Sequence, residues 1–175
     1  MKQFRDRHSD DSSDDEVHQD LFKDTWDQAI ENDDHLLLFG SRQLAVDMYT
    51  LHPQTVQIFQ LWQVYLENVN PLLKVTHIPT LQGRIIQAAS DVLKIKPDFE
   101  ALLFSIYCIA VSSLTEGDCQ AMFASSQLEL LARYQLGCQQ ALQKSRFLRC
   151  TNRDCLTAFY LYLVSLCVIV SLALF

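Results

Sequence analysis

Glycine and proline are scarce in this chain, which has four of each among its 175 residues. No segment alternates apolar and polar residues with β-branched enrichment for long enough to predict a strand, and so few glycines supply few tight hairpin turns. No internal repeat of fixed period is present, which disfavours a solenoid. The sequence therefore predicts an all-α fold, a packed helical domain.

The sequence motifs of common enzyme classes are also missing. The chain contains no Gly-x-Gly-x-x-Gly, no P-loop, no Gly-x-Ser-x-Gly and no His-Glu-x-x-His. Glu116 and Asp118 flank Gly117 in a predicted loop, and we expect these carboxylates to cap the following helix rather than to perform acid-base chemistry. We predict that the chain is not an enzyme, and we assign it no catalytic, cofactor-binding or metal-binding residue.

Prolines predict where several helices begin and end. Pro53, Pro79 and Pro97 each suit a first helical turn, because the N–H that proline lacks would be unpaired there anyway. The pair Asn70-Pro71 should end the first of these helices, since the residue before a proline is pushed out of the α region.

Apolar spacing predicts how the helices pack. Ser126-x-x-Glu129 is a capping-box pattern in front of a helix from Leu128 to Lys144. The helix from Asp98 to about Leu114 is apolar on nearly every side, which predicts a central position. An earlier helix should bury one face, formed by Val56, Phe59 and Leu66 together with Ile58, Trp62 and Tyr65.

Negative charge is concentrated at one end. Residues 1–34 hold twelve Asp/Glu against four Lys/Arg, a net charge of −8, whereas residues 35–175 hold nine acids against ten bases, a net of +1. Ser9 to Glu16 (SDDSSDDE) offers too little apolar surface to offset the entropy of ordering, so we predict an acidic, mostly disordered tail over 1–34. A weak amphipathic helix from Val17 to Ile30 fits either a solvated linker, which the composition favours, or an activation-type segment that folds on a partner.

Basic residues do not form the clustered face that phosphate contacts require. The densest group lies on and after a predicted helix end, where positive charge complements the helix dipole. Its members are Lys144, Arg146, Arg149 and Arg153. We predict no direct contact between this chain and DNA.

Three blocks of sequence share an order with a known family. The first, LHPQTVQIFQLWQVYLENVNPLLKVTHIPTLQ, runs from Leu51 to Gln82 and carries a Leu-Trp helix, Asn-Val-Asn-Pro and His-x-Pro-Thr. The others are EALLFSIYCIAVSSLTEGDCQAMF (Glu100 to Phe123) and LLARYQLGCQQALQKSRFL (Leu130 to Leu148). Together they resemble the fungal-specific transcription factor domain, the middle regulatory region of binuclear zinc cluster transcription factors.

This resemblance implies a regulator of transcription in the nucleus. It implies partners among the proteins of the transcription machinery, or a homodimer partner, and DNA binding only through a zinc cluster module that this sequence lacks. It places the N-terminal part of the regulatory domain at residues 35–165. Residues 166–175 are then an apolar C-terminal extension that a truncated reading frame would explain.

The six cysteines do not follow the zinc cluster pattern of that family. The family's module uses two Cys-x2-Cys pairs, each followed by a further cysteine, whereas here four to eighteen residues separate successive cysteines. We therefore predict buried thiols, no zinc in this chain and no disulfide framework. The five histidines, at positions 8, 18, 35, 52 and 77, form no group at ligand spacing, and we assign them structural or solvated roles. The cysteines are Cys108, Cys119, Cys138, Cys150, Cys155 and Cys167.

The C-terminal segment from Cys155 to Phe175 contains no charged residue, and its length suffices for a bilayer core, which needs about 20 residues. One reading is a tail anchor, and hence a tail-anchored membrane protein. A second is that Leu156 to Ser165 (LTAFYLYLVS) forms the next buried helix of the family domain, followed by translated intron, since Val-Ser is a dipeptide that the splice-donor sequence GTAAGT can encode. A third is a non-functional gene fragment. We expect the buried helix.

Overall fold

The computed structural model describes the backbone of residues 46–173 and the side chains of residues 46–171. The described part is helical and contains no strand, which confirms the all-α prediction. The predicted acidic tail and the helix from Val17 to Ile30 lie outside the described residues. The helices, in chain order, are α1 (Met48–Leu51), α2 (Thr55–Val64), α3 (Ile78–Ser90), α4 (Pro97–Ser112), α5 (Glu116–Phe123), α6 (Gln127–Lys144) and α7 (Arg153–Ala173).

Most of the predicted helix ends are confirmed. Pro79 lies in the first turn of α3, and Pro97 is the first residue of α4. Ser126 caps α6, because its side chain accepts a hydrogen bond from the backbone N–H of Glu129 at 3.2 Å. Asn70 ends a π-helical turn, Tyr65–Val69, that continues directly from α2.

The prediction for Pro53 is wrong. Helix α2 begins only at Thr55, and Gln54 is its cap. Gln54 and Gln57 form a reciprocal capping box, in which each side chain accepts from the other residue's backbone N–H. Pro53 therefore lies just outside the helix, where its fixed φ sets the direction of entry.

The predicted buried face of α2 is only half right. Ile58, Trp62 and Tyr65 are buried, and the Trp62 and Tyr65 rings stack with centroids 5.4 Å apart. Val56 and Phe59, by contrast, are exposed. The set with Ile58 and the set with Val56 both have helical spacing, so periodicity alone does not show which one is buried. Helix α2 packs against α4, and the position of α4 therefore decides which of the two sets is buried.

Helix α4 is the centre of the fold, as its composition predicts. Every residue from Phe99 to Ser112 is buried, and α2, α6 and α7 all pack against this helix. Its buried hydroxyls are satisfied within the helix, since Ser105 donates to the Leu102 carbonyl and Ser112 to the Cys108 carbonyl, each at 2.8 Å. A helix buried on all sides therefore carries polar groups without an unpaired donor at either serine.

Helix α1 is attached to α6 by one arginine. The Arg133 guanidinium donates to the backbone carbonyls of Thr50, Leu51 and His52 at 2.9, 3.1 and 3.0 Å. These carbonyls belong to the end of α1, where the last C=O groups of a helix have no intrahelical partner. Arg133 thus fixes the chain just before α2.

Candidate interaction surface

Helix α7 has one face inside the fold. Its buried residues are Cys155, Ala158, the adjacent pair Leu161 and Tyr162, and Ser165, which share one side of the helix. This face packs chiefly against α4 and also contacts α6, where Gln139 donates to the Tyr162 hydroxyl at 2.7 Å. The buried-helix expectation for Leu156 to Ser165 is thus confirmed for one face of the segment.

The opposite face of α7 is exposed and apolar. Leu156, Tyr160, Leu163 and Val170 are 55%, 44%, 41% and 59% exposed, and Cys167 is exposed as well. These five residues are spaced four, three, four and three positions apart, which is the spacing of a coiled-coil seam. We call them the outer face of α7. Contiguous apolar patches on protein surfaces are frequent at contacts with other proteins or with membranes.

The same helix meets the length and composition test for crossing a membrane. Among the described residues it is the one candidate, from Arg153 to Ser171, and 28% of its most apolar stretch is buried inside the fold. An anchor that used the whole of Cys155 to Phe175 would have to remove the buried face of α7 from α4. That would expose the most apolar helix of the domain to water.

A bidentate ion pair fixes the start of α7. Arg84 of α3 donates to both carboxylate oxygens of Asp154, with Nη1 3.0 Å from Oδ1. The Arg84 guanidinium also lies over the Phe99 ring, 3.9 Å from its centroid. Seventy positions separate Arg84 from Asp154, and no local sequence pattern indicated the pair.

Four of the six cysteines are buried as predicted, and two are not. Cys108, Cys119, Cys138 and Cys155 are buried, whereas Cys150 is half-buried and Cys167 is exposed. The prediction is wrong for Cys167 because α7 turns that position toward its outer face. Burial raises the pKa of the Cys108 and Cys138 thiols well above the usual range and that of Cys155 to about 11. Within residues 46–171, no three His, Cys, Asp or Glu side chains are grouped so that they could hold a metal ion.

The two histidines within the described residues are in different environments. His52 is buried, with Nε2 3.3 Å from the Glu100 carboxylate and its ring 4.4 Å from that of Phe104. His77 precedes α3, and its Nδ1 lies 2.8 Å from the Thr80 hydroxyl. The His52–Glu100 contact joins the segment before α2 to the central helix, and it was missed because 48 positions separate the two residues.

The paired carboxylates cap helices, as expected. Asp118 lies in the first turn of α5 and forms a capping box with Thr115, whose hydrogen bonds lower the pKa of that carboxyl. Glu116 accepts from the backbone N–H of Gln127 at 2.9 Å and so caps the start of α6. The predicted loop position is wrong, since both residues are already helical.

The basic group extends across the connection from α6 to α7. Lys144 ends α6, where a cation complements the dipole, as predicted. Arg153, however, opens α7, where the dipole opposes a positive charge. Arg146 adopts a left-handed conformation with a φ of 48° in the turn between them. Lys144, Arg146, Arg149 and Arg153 all expose their side chains.

Comparison with known proteins gives relatives that are named as regulators of transcription. The chain is 53% identical over 154 residues to the transcriptional regulator AacuB of Aspergillus aculeatus, an alignment that covers 87% of this chain and 21% of that protein. It is 53% identical over 164 residues to the transcriptional regulator nsrM of Aspergillus novofumigatus, covering 89% and 23%. It is 42% identical over 129 residues to the aurofusarin cluster transcription factor aurR2 of Gibberella zeae, covering 74% and 19%.

The chain is thus similar over most of its length to fungal transcriptional regulators, and some further relatives are named C6 finger domain transcription factors. It spans about a fifth of the length of the curated relatives it matches. No family model matches the chain, and no solved structure matches it.

Proposed function

We propose that this chain acts in transcriptional regulation in the nucleus, as part of the regulatory region of a fungal zinc-cluster-type transcription factor. The observation that carries the proposal is the 53% identity to two transcriptional regulators, which extends over 87% and 89% of the chain. The similarity thus includes nearly every helix of the packed domain and is not limited to one short motif.

The finer assignment is to the fungal-specific transcription factor domain. The three blocks that resemble this domain correspond to consecutive helices of one compact unit. The first block contains α2 and the start of α3, the second contains most of α4 and all of α5, and the third contains most of α6. The three blocks therefore cover, in chain order, the helices that pack together in this unit.

The mode of action we propose is through protein contacts. The sequence contains no Cys-x2-Cys pair, so contact with DNA is assigned to a zinc cluster module that this sequence lacks. The outer face of α7 offers an apolar surface for a partner from the transcription machinery or for a second copy of the chain. We assign no catalytic step to the chain.

One observation favours a second candidate. Helix α7 is long and apolar enough to cross a membrane, which a tail-anchored protein would require. The packing of Cys155 to Ser165 inside the fold favours the regulatory function over this alternative. The remaining alternative is a non-functional gene fragment, which would neither regulate transcription nor anchor in a membrane.

A reporter assay tests the proposal. We would fuse the full chain to a heterologous DNA-binding domain and compare reporter output with that of the DNA-binding domain alone. We expect a change in output that the double substitution Tyr160→Glu/Leu163→Glu removes, because charge on the outer face of α7 prevents apolar docking.

A matched control uses exposed apolar residues away from α7. Val56→Glu/Leu128→Glu adds the same two charges at positions that are 68% and 76% exposed, and it should retain the wild-type output. Equal output from the fusion and the DNA-binding domain alone, with the fusion folded and nuclear, would refute the proposed function. An equal loss of reporter output in the outer-face variant and in the control variant would refute the role of the outer face.

A further inference from the structure

A surface cleft lies where α3 ends and α4 begins. It has a volume of about 460 Å³, and its wall includes Lys94, the last residue of the 3₁₀ turn Val92–Lys94. Sites for small molecules in proteins are about 300–1,000 Å³ in volume. The cleft is therefore large enough for a ligand with one or two rings.

Positive charge dominates the wall of this cleft. Arg84, Lys94 and Lys96 line it, and Asp91 is the one carboxylate among the lining residues. Lys94 pairs with Asp91 at 2.6 Å, but the Lys94 side chain is 85% exposed, and such surface pairs contribute little. Lys96 has no carboxylate within ion-pair distance among residues 46–171. Lys96 is thus available to an incoming anion, and Lys94 offers a second ammonium group that it shares with the Asp91 carboxylate at the surface.

Arg84 lines the cleft in a fixed position, with its charge balanced by the Asp154 carboxylate. Its terminal nitrogens are held by Asp154, and its guanidinium plane rests on the Phe99 ring. A side chain held in this way loses little further entropy when it meets a ligand.

Apolar groups complete the wall. Ala88 and Phe99 are buried beneath it and Ile95 is half-buried, so a ligand in the cleft would also cover hydrocarbon. Lysine side chains add their methylene stems to such a surface while the ammonium groups remain at the rim.

We propose that this cleft binds a small organic anion. Its carboxylate or sulfonate head lies between Lys94, Lys96 and Arg84, and its apolar body lies against Ala88 and Ile95. The inference concerns binding by the chain itself, so it does not rest on the proposed function.

The test uses 2-naphthoate as the anionic probe and 2-naphthamide as its neutral analogue. Titration of the purified full chain, followed by ligand-observed NMR and by ¹H–¹⁵N chemical shifts, should show saturable binding of the carboxylate, with shifts at Arg84, Ile95 and Lys96. The amide should bind at least about tenfold more weakly, since it lacks the charge that the cations attract.

Charge reversal of the two lysines should weaken binding of 2-naphthoate by about tenfold or more, a change of roughly 1.4 kcal/mol. The variant is Lys94→Glu/Lys96→Glu, and Lys94→Gln/Lys96→Gln removes the charges without adding repulsion beside Asp91. The matched control, Lys74→Glu/Lys144→Glu, changes the net charge equally at exposed lysines outside the cleft, and it should leave the affinity unchanged.

Three results would overturn the proposal. The first is equal affinity for the carboxylate and the amide. The second is an equal loss of affinity for 2-naphthoate in the cleft variants and in the Lys74/Lys144 control, which would indicate a general effect of net charge. The third is the absence of saturable binding to folded chain at millimolar probe.

Discussion

Gly137 of α6 lies directly against the ring of Phe104 in α4. A methyl group on Gly137 would be 2.4 Å from Cε1 of that ring, well inside van der Waals contact. The ring is fully buried and contacts His52 and Tyr107, so it has no free space to move into. The missing side chain at position 137 is therefore what lets α6 approach the central helix this closely.

Gly137→Ala should lower the free energy of unfolding by about 1–3 kcal/mol, the usual cost of adding a methyl group to a packed core. This loss should appear although alanine is the better helix former. Urea unfolding followed by circular dichroism measures it.

Gly83 provides the matched control. It lies within α3, and a methyl group there would meet no atom within 4 Å. Gly83→Ala should therefore raise the free energy of unfolding by about 0.5–1 kcal/mol. A Gly137→Ala variant at least as stable as wild type would contradict the close approach of Gly137 to Phe104.

Ala124 ends α5 in a left-handed conformation, with a φ of 53° and its N–H donating to the Gln120 carbonyl at 3.1 Å. A left-handed conformation costs an L-residue roughly 1–2 kcal/mol and glycine very little. Ala124→Gly should raise the free energy of unfolding by about 1 kcal/mol, whereas Ala124→Val should lower it. Thermal unfolding of the two variants would show opposite shifts, and a destabilised glycine variant would argue against this backbone conformation.

The sequence predicts this fold best where one local pattern determines the outcome. The proline at the start of α4 and the continuous apolar run behind it are sufficient to place a central helix. Helix α2 is harder, because Phe59 and Ile58 both belong to apolar sets with helical spacing and only the position of α4 buries one of them. Local periodicity fixes a helix, but tertiary packing selects its buried face.

Contacts between distant residues are what the sequence could not predict. The pairs Arg84–Asp154 and His52–Glu100 each join segments that meet only after the helices have packed. The cleft beside Arg84 depends on the same packing, so its lining residues carried no sequence signal. The outer face of α7 could have been found from its four-three spacing, but the uncharged run around it suggested a buried or membrane helix.

Alkaline pH should destabilise the chain. Burial raises the pKa of Cys155 from its ordinary 9.0 to about 11, and it raises those of Tyr134 and Tyr162 from 10.0 to about 12. These groups ionise more readily in the unfolded chain than in the folded one. Their contribution to the free energy of unfolding is therefore fully present below about pH 9 and is lost as pH rises toward 12. Urea unfolding at several pH values in that range should give a falling free energy of unfolding.

Tyr134→Phe tests the cause of this pH dependence. The Tyr134 hydroxyl is buried and has no hydrogen-bond partner among the described residues. The phenylalanine variant should therefore be at least as stable as wild type near neutral pH, because an unsatisfied buried hydroxyl is removed. It should also lose less stability above about pH 10. If the free energy of unfolding of the variant falls with pH as steeply as that of wild type, then Tyr134 does not contribute to the loss of stability at alkaline pH.

The last prediction separates a packed α7 from a membrane anchor. Because Cys155 to Ser165 packs against α4, we expect a chain with an N-terminal fluorescent protein to be released from membranes by carbonate. Val168→Arg should not change its distribution, since Val168 is partly exposed and not part of the buried face. Fractionation and microscopy of both forms provide the measurement.

The opposite result has an equally definite cause. In a bilayer, arginine near the centre of a spanning helix costs about 2.5–3.5 kcal/mol on insertion scales. If wild type resists carbonate extraction and Val168→Arg abolishes that resistance, then α7 inserts into the membrane and the regulatory function must be abandoned. Ala158→Arg distinguishes the packed helix further. It places a charge on the buried face and should unfold the domain if that face packs against α4.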